Sequence, residues 1–280
     1  MTAIIMDGKK VSREIEDRIK SKVENLKRKP GLGVILVGEN PASQIYVRNK
    51  QAACGRVGII SKRIDLPNDA TQMQVIEAIE SYNNDDEIDG ILLQLPMPSH
   101  LNEKKIMGLI SKDKEVDGFH LENLGKLLAG HKGIRPCTPK GIIRLLEEYK
   151  VDIQGKNAVV LGRSTIVGKP VALLLLEKNA TVTICHSKTV GIKEIVKKAD
   201  IIVAAIGKAK FVTEDMVKHN AVVVDVGINR VDGKLVGDVD FEKVSRKASY
   251  ITPVPGGIGP MTIASLLENT MELYEQHEQL

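Results

Sequence analysis

Short strand-length runs rich in Val, Ile and Leu, set between stretches of helical spacing, restrict this chain more than any other feature. Gly31–Gly38, Ile59–Leu66, Ile88–Leu95, Ala158–Leu161, Thr181–Cys185, Ile201–Ile206 and Val222–Val226 each read as a strand. Helices fall between them. Val11, Ile15, Ile19, Val23 and Leu26 recur every three or four residues, which gives one apolar stripe. Asn40-Pro41 joins a good N-cap to the residue favoured at the first helical position; the helix it opens should run to about Val57 and stop at Gly58. Thr71-Gln-Met-Gln74 spells a capping box, and Val75, Ile76 and Ile79 then share a face. Apolar strands that alternate with helices call for parallel pairing and right-handed crossovers, so the expected class is α/β. Aromatic residues are 3% of the chain and Trp is absent, so the core must be aliphatic, which suits such sheets.

At 280 residues there is room for two ordinary domains. The stretch from Phe119 to Cys137 is Gly-rich and basic and reads as a connector. Thr138-Pro139 repeats the capping signal and opens a helix ending near Tyr149. Helices over Val167–Lys178, Gly191–Lys198 and Thr213–His219 then alternate with the later strands, a nucleotide-binding series of the Rossmann type. Met261–Glu275 is helical by spacing.

Several classes of function fall away. The longest apolar runs, such as Val171–Leu176, are far short of the ~20 residues of a membrane helix. Asp7, Lys9, Lys10, Arg13 and Glu14 leave no apolar signal-peptide core at the N-terminus. Cys54, Cys137 and Cys185 are scattered and odd in number, which argues against a disulfide framework and for a reducing cytoplasm. The six His show no paired ligand spacing, so no metal is expected. The net charge of +4 comes from cations mixed with Glu and Asp along helices, not from a basic stripe, so neither nucleic acid nor membrane is an expected partner.

The candidate cofactor motif is Gly162-Arg-Ser-Thr-Ile-Val-Gly168, between a strand and a helix. A Gly turn there lets a phosphate approach backbone N–H groups. It departs from GxGxxG, since Ser164 takes the middle position, and a structural turn would explain it equally. The next strand ends in Cys185-His-Ser-Lys-Thr189, where an NAD enzyme carries Asp or Glu for the ribose hydroxyls. Ser187, with the cations Arg163 and Lys188, favours the 2′-phosphate of NADP.

Tyr46 and Lys50 are four apart on a helix and share a face. An exposed Tyr stacked on a Lys stem would also give this spacing. A YxxxK pair serves short-chain dehydrogenases, but there it follows the dinucleotide turn, and here it precedes it. Gln94 ends the third strand, and ligands of open α/β sheets bind beyond the carboxyl ends of strands, so Tyr46, Lys50 and Gln94 should meet at one rim. Asp117 before Gly118 is either a site carboxylate or a turn residue. Thr252-Pro-Val-Pro-Gly-Gly-Ile-Gly-Pro260 should be a shaped loop, neither helix nor central strand. Asp225-Val-Gly227 ends a strand and either lines the nicotinamide side or turns the chain, while Cys137 and His186 read as packing residues.

Taken in order, Tyr46-x-x-x-Lys50, Gln94-Leu-Pro96, Val116-Asp-Gly118, Pro136-Cys-Thr-Pro-Lys-Gly141, Gly162-Arg-Ser-x-Ile-Val-Gly168, His186-Ser-Lys-Thr189, Asp225-Val-Gly-Ile-Asn229 and Pro253-Val-Pro-Gly-Gly-x-Gly-Pro-Met-Thr262 resemble the bifunctional methylenetetrahydrofolate dehydrogenase/methenyltetrahydrofolate cyclohydrolase family, the FolD type. Met97 and Ile258 depart from the family's usual residues but stay apolar. The resemblance implies two α/β domains around a cleft: a folate-binding catalytic domain over residues 1–120, with the helix 261–280 packing back onto it, and an NADP-binding, doubly wound Rossmann domain over 121–260. It implies a homodimer, with Gly162, Arg163, Ser164, Ser187 and Ile228 on NADP. It places Tyr46, Asp117 and the backbone of Pro255, Gly256 and Gly257 on the folate, and a catalytic set of Lys50, Tyr46, Gln94 and Asp117.

The chemistry suits those residues. Hydride loss from a carbon between two nitrogens is driven by their lone pairs and needs positioning more than a base. Hydrolysis of the resulting cation needs proton movement, and Lys50, oriented by Gln94, is the residue placed to supply it, burial disfavouring its charged form. The other reading is an NADP-linked oxidoreductase acting on a different small substrate.

Overall fold

A computed structural model describes residues 2–279, and its chain divides into two compact units. One comprises Glu14–Cys137 and Ile263–Leu280; the other comprises Met1–Arg13 and Thr138–Thr262.

The first unit is built on a three-stranded parallel sheet in the order Ile60–Leu66, Gly31–Val37, Gly90–Leu93. The central strand is buried along its whole length, whereas Ile60–Leu66 is an edge strand and carries Lys62, Arg63 and Asp65. The signals read from sequence form as expected. Asn40 Oδ1 accepts the N–H groups of Ala42 and Ser43, Pro41 opens the helix Pro41–Val57, and Gly58 closes it in the left-handed conformation. The Thr71–Gln74 capping box starts the helix Gln72–Asn83. Ile35, Val37, Val75, Ile79, Ile91 and Leu93 share the core between sheet and helix.

The second unit holds a six-stranded, all-parallel sheet in the order Ile4–Ile5, Tyr250–Ile251, Val222–Asp225, Ile201–Ala204, Asn157–Leu161, Thr181–Cys185. Its core is aliphatic, with Val159, Leu161, Ile202, Val223 and Ile251 at its centre. From Asn157–Leu161 the chain crosses to Thr181–Cys185 on one side and then back to Ile201–Ala204 on the other. That reversal is the switch point at which open α/β sheets bind ligands.

Four expectations are corrected. The stretch from Phe119 to Cys137 is not all connector but contains the helix Leu121–Leu128. Its N-cap is His120, accepting from Glu122 N–H, which is not one of the usual capping residues. The helix expected over Thr213–His219 is a single 3₁₀ turn, Glu214–Met216. The loop expected to last to Pro260 gives way at Ile258 to the helix Ile258–His277. Pro260 sits in its first turn, where a missing N–H removes no intrahelical bond. The unit boundaries also differ from a cut at residue 120. Ile4–Ile5 pairs with Tyr250–Ile251 in the six-stranded sheet, and residues 121–137 group with the three-stranded unit. Two-residue strands carry too little pattern to be read from sequence.

Candidate functional site

In the first unit, sheet register sets the site. Ile35 pairs with Leu93, and the next residue, Gln94, donates its N–H to Ile35 O at 2.9 Å. Gln94 therefore leaves the carboxyl end of its strand beside the central one. Lys50, on the helix that follows that central strand, is only 6% exposed, and its Nζ donates to Gln94 Oε1 at 3.2 Å. Gln94 Nε2 donates to Leu95 O at 2.6 Å, so the amide oxygen is the atom turned toward the amine. Tyr46, one turn before Lys50, is half-buried, and burial raises its hydroxyl above the ordinary range.

The segment before Asp117 runs beside Gly90–Leu93, Ile91 bridging Glu115 in parallel register. That register brings Asp117 level with Leu93, at the same sheet end as Gln94. Burial pushes the Asp117 carboxyl up, opposed by the charge of Lys50 and a hydrogen bond from Cys137. Lys50 and Gln94 meet at one rim, with Tyr46 one turn before Lys50 on the same helix, and Asp117, which the spacing leaves open between site and turn, stands at the same sheet end. Cys137 is buried and donates toward Asp117 and Val116 O, so it supports the site rather than reacting in it.

Glu115 is a residue that the sequence reading passed over. It is 3% exposed, and its Oε2 accepts the N–H of His120 at 3.0 Å. Burial, then the charge of Asp117, push its carboxyl up to about 7 against the backbone N–H groups of His120 and Phe119. The signal available was the alternation in Lys114-Glu-Val-Asp117, which puts both carboxyls on one face of an extended segment.

In the second unit, Leu161 pairs with Cys185 and Ala204, and Ala204 with Asp225. The turns after these strands therefore all leave one end of the sheet. Gly162 adopts φ +119°, and a Cβ there would strike Ala205 O; one at Gly168 would strike Gly162 O. The turn closes on bare backbone, the cradle that a phosphate needs. Ser164 Oγ accepts the N–H groups of Val167 and Gly168, leaving its O–H free to donate outward. Arg163, Ser164, Ser187 and Lys188 are exposed, and Ile228 is 52% exposed beyond the strand Val222–Asp225. No carboxylate stands at positions 186–189. The residues present fit a dinucleotide with a 2′-phosphate.

His186 shapes its own turn, its Nδ1 accepting Lys188 N–H and its carbonyl accepting Thr189 N–H. The Pro253–Gly257 segment is a tight turn closed by Gly257 N–H on Pro253 O at 2.9 Å. Pro255 is exposed and Gly256 and Gly257 are buried. Lys9 N–H donates to Gly256 O at 3.1 Å, so the N-terminal segment braces this turn, a contact between residues far apart in sequence.

The chain matches two family models: tetrahydrofolate dehydrogenase/cyclohydrolase, catalytic domain, over residues 6–117, and the NAD(P)-binding domain of the same family over residues 136–278. It is 56% identical over 279 residues to the bifunctional protein FolD of a Sulfurihydrogenibium species, covering 98% of each chain. It is 54% identical over 275 residues to that of Streptococcus thermophilus, covering 96% of this chain and 97% of the relative. The solved FolD methylenetetrahydrofolate dehydrogenase/cyclohydrolase of Campylobacter jejuni is 48% identical with a TM-score of 0.96, covering 98% of this chain and 99% of that one. That of Trypanosoma brucei, complexed with NADP cofactor and inhibitor, is 36% identical with a TM-score of 0.96 and full coverage, 100% of each. With both models matched in order and identity above half across nearly the whole length, the chain belongs to the tetrahydrofolate dehydrogenase/cyclohydrolase family.

Proposed function

We infer that this enzyme oxidises 5,10-methylenetetrahydrofolate to 5,10-methenyltetrahydrofolate with NADP and then hydrolyses the product to 10-formyltetrahydrofolate. The observation that carries the reading is the buried Lys50 amine held on the Gln94 carbonyl at the carboxyl rim of a sheet. An oxidoreductase acting on an unrelated substrate would need the Gly162–Gly168 turn but would have no use for that pair.

In the first step the reacting carbon sits between two nitrogens whose lone pairs expel hydride, so the protein's task is geometry. Tyr46 stacks on the folate ring, and Asp117 accepts from the pterin's N–H donors. Gly162, Arg163, Ser164, Ser187 and Ile228 hold NADP, which when bound supplies the hydride acceptor. In the second step water adds to the methenyl carbon. Lys50 takes a proton as the C–O bond forms and delivers one to the ring nitrogen as the C–N bond breaks; the second water proton leaves to solvent as the C=O of the formyl group forms on the other nitrogen. Gln94 orients the amine and has no proton of its own to exchange. Pro255, Gly256 and Gly257 are assigned to the folate on the family resemblance. The same reading makes the enzyme a cytoplasmic homodimer.

A spectrophotometric assay with methylenetetrahydrofolate and either NADP⁺ or NAD⁺, following methenyl formation and loss, tests this. Turnover with preference for NADP⁺ is expected, and absence of turnover with both would overturn the reading. Asp117→Ala should weaken both activities, because one folate site serves both; unchanged folate affinity would return Asp117 to a turn role.

A further inference from the structure

Two buried carboxylates that this chemistry does not use tie together the loops at the carboxyl end of the six-stranded sheet. Asp238 is fully buried. Its Oδ2 accepts the N–H groups of Ile206 at 2.7 Å and Gly207 at 3.0 Å, and its Oδ1 accepts Lys208 N–H at 2.8 Å and Asn229 Nδ2–H at 2.9 Å. Three successive amides of the loop after Ile201–Ala204 thus form a concave anion site, and the protein fills it with its own carboxylate. Asp225 is 3% exposed. Its Oδ1 accepts Gly227 N–H at 2.9 Å and Asp238 N–H at 2.8 Å, and its Oδ2 accepts Val239 N–H at 2.9 Å. The glycines between them make the approach possible. A Cβ at Gly237 would strike Asp225 Oδ2, and one at Gly227 would strike Asp238 Oδ1.

The loop so fixed carries Ile228. Its neighbours are both anchored, Gly227 through its N–H on Asp225 and Asn229 through its side chain on Asp238. Ile228 itself is left half-exposed. Every partner just named is a donor, so Asn at either position would turn an NH₂ toward N–H groups and break the arrangement while keeping its size.

We propose that Asp225 and Asp238 are positioning residues for the dehydrogenase step, holding the Gly227–Asn229 loop so that Ile228 meets NADP, and that they have no part in the hydrolysis. The proposal rests on the reading of Ile228 as a cofactor contact.

The test uses Asp238→Asn and Asp225→Asn in the full-length enzyme. The KM for NADP⁺ and the kcat of oxidation are measured beside hydrolysis of preformed methenyltetrahydrofolate without NADP⁺. A lost set of charge-assisted hydrogen bonds should raise the KM for NADP⁺ at least about tenfold. Hydrolysis should stay within about twofold, since uninvolved sites perturb little. An unchanged KM, or a parallel fall of both activities, would overturn the proposal. If neither variant folds, Asn229→Ala removes one donor and spares both carboxylates. It should raise the KM by about threefold, in line with one weak hydrogen bond, and an unaltered KM would count against the proposal. Ile228→Ala separates the two levels. If it leaves the KM for NADP⁺ alone, the cofactor reading of Ile228 fails; if it raises the KM and Asp238→Asn does not, only the positioning role fails.

Discussion

The unit built from Glu14–Cys137 and Ile263–Leu280 buries two charged side chains in opposite ways. Asp89 is fully buried and saturated: Arg28 donates from Nη1 at 2.9 Å and Nη2 at 2.8 Å, Gly31 N–H at 2.8 Å, and His277 Nδ1 lies at 3.1 Å. The pairing with Asp89 raises the Arg28 guanidinium above its already high range. Arg28 also stacks over the Tyr274 ring at 4.7 Å, so this carboxylate ties the end of the helix Ile258–His277 to the start of the central strand. Lys50 is nearly as buried, yet among the described residues its amine donates only to the neutral carbonyl of Gln94. A buried charge with every lone pair satisfied holds structure, because removing any partner strands the rest. The Lys50 amine, held by a single neutral hydrogen-bond acceptor with the Asp117 carboxylate near enough to feel its charge, is placed for general acid–base work rather than locked into structure.

The largest effect should come from the saturated cluster. Asp89→Ala removes the buried acceptor of Gly31 N–H and of His277 Nδ1 and one of the two carboxylates on Arg28, which keeps Glu278, and should cost about 3 kcal/mol of stability. The activity of the molecules that remain folded should not change. Denaturant unfolding beside kinetics on the same preparation checks both; a loss below about 1 kcal/mol would place Asp89 with ordinary surface pairs.

Glu115 is intermediate, buried but with few donors. Its carboxyl is raised to about 7 from an unfolded value of 4.5. Between those values the folded protein binds more protons than the unfolded chain, so stability is fully present below about pH 4.5 and is lost as pH rises through about 7. The loss across that window is about 3 kcal/mol, and Glu115→Gln should remove that component from the pH–stability profile. Matching slopes in parent and variant would mean that Glu115 does not titrate there.

Lys50→Met keeps the stem and removes the amine. Hydrolysis of methenyltetrahydrofolate should fall by ~10²-fold or more, with oxidation surviving and the methenyl product accumulating. Lys50→Arg should fail similarly, because guanidinium does not give up its proton in this range. Hydrolysis at the parent rate in either variant would remove the contrast with Asp89. Loss of both activities with folate binding intact would make Lys50 an orienting group for both steps.

The smallest effect belongs to an exposed charge. Arg163→Ala should raise the KM for NADP⁺ more than that for NAD⁺, by the roughly 1.5–3 kcal/mol of a charge-assisted contact. Equal losses with the two cofactors would make Arg163 a turn residue only.

Local signals were legible because their physics is local. The Asn40-Pro41 start, the Gly58 stop, the Thr71–Gln74 box and the buried aliphatic strands came out within a residue or two of expectation. So did the motifs that place Lys50, Gln94 and the Gly162–Gly168 turn, since strand-end positions follow from where each aliphatic run stops. What escaped depends on partners distant in sequence. Ile4–Ile5 is a strand only because Tyr250–Ile251 lies beside it, and the turn at Gly256 is braced by Lys9. Glu115 reads as one more charge in Lys114-Glu-Val-Asp117 until the bridge to Ile91 buries it. Asp225 is open between the nicotinamide side and a turn, and nothing local marks Asp89 or Asp238, until folding surrounds all three with donors from other segments. The sequence alone determined the α/β alternation, the places where elements begin and end, and the residue types offered at the rims of the sheets. Only the tertiary structure decided which charges are buried and how completely each is paired, because desolvation and hydrogen-bond partnership are properties of a neighbourhood assembled from the whole chain.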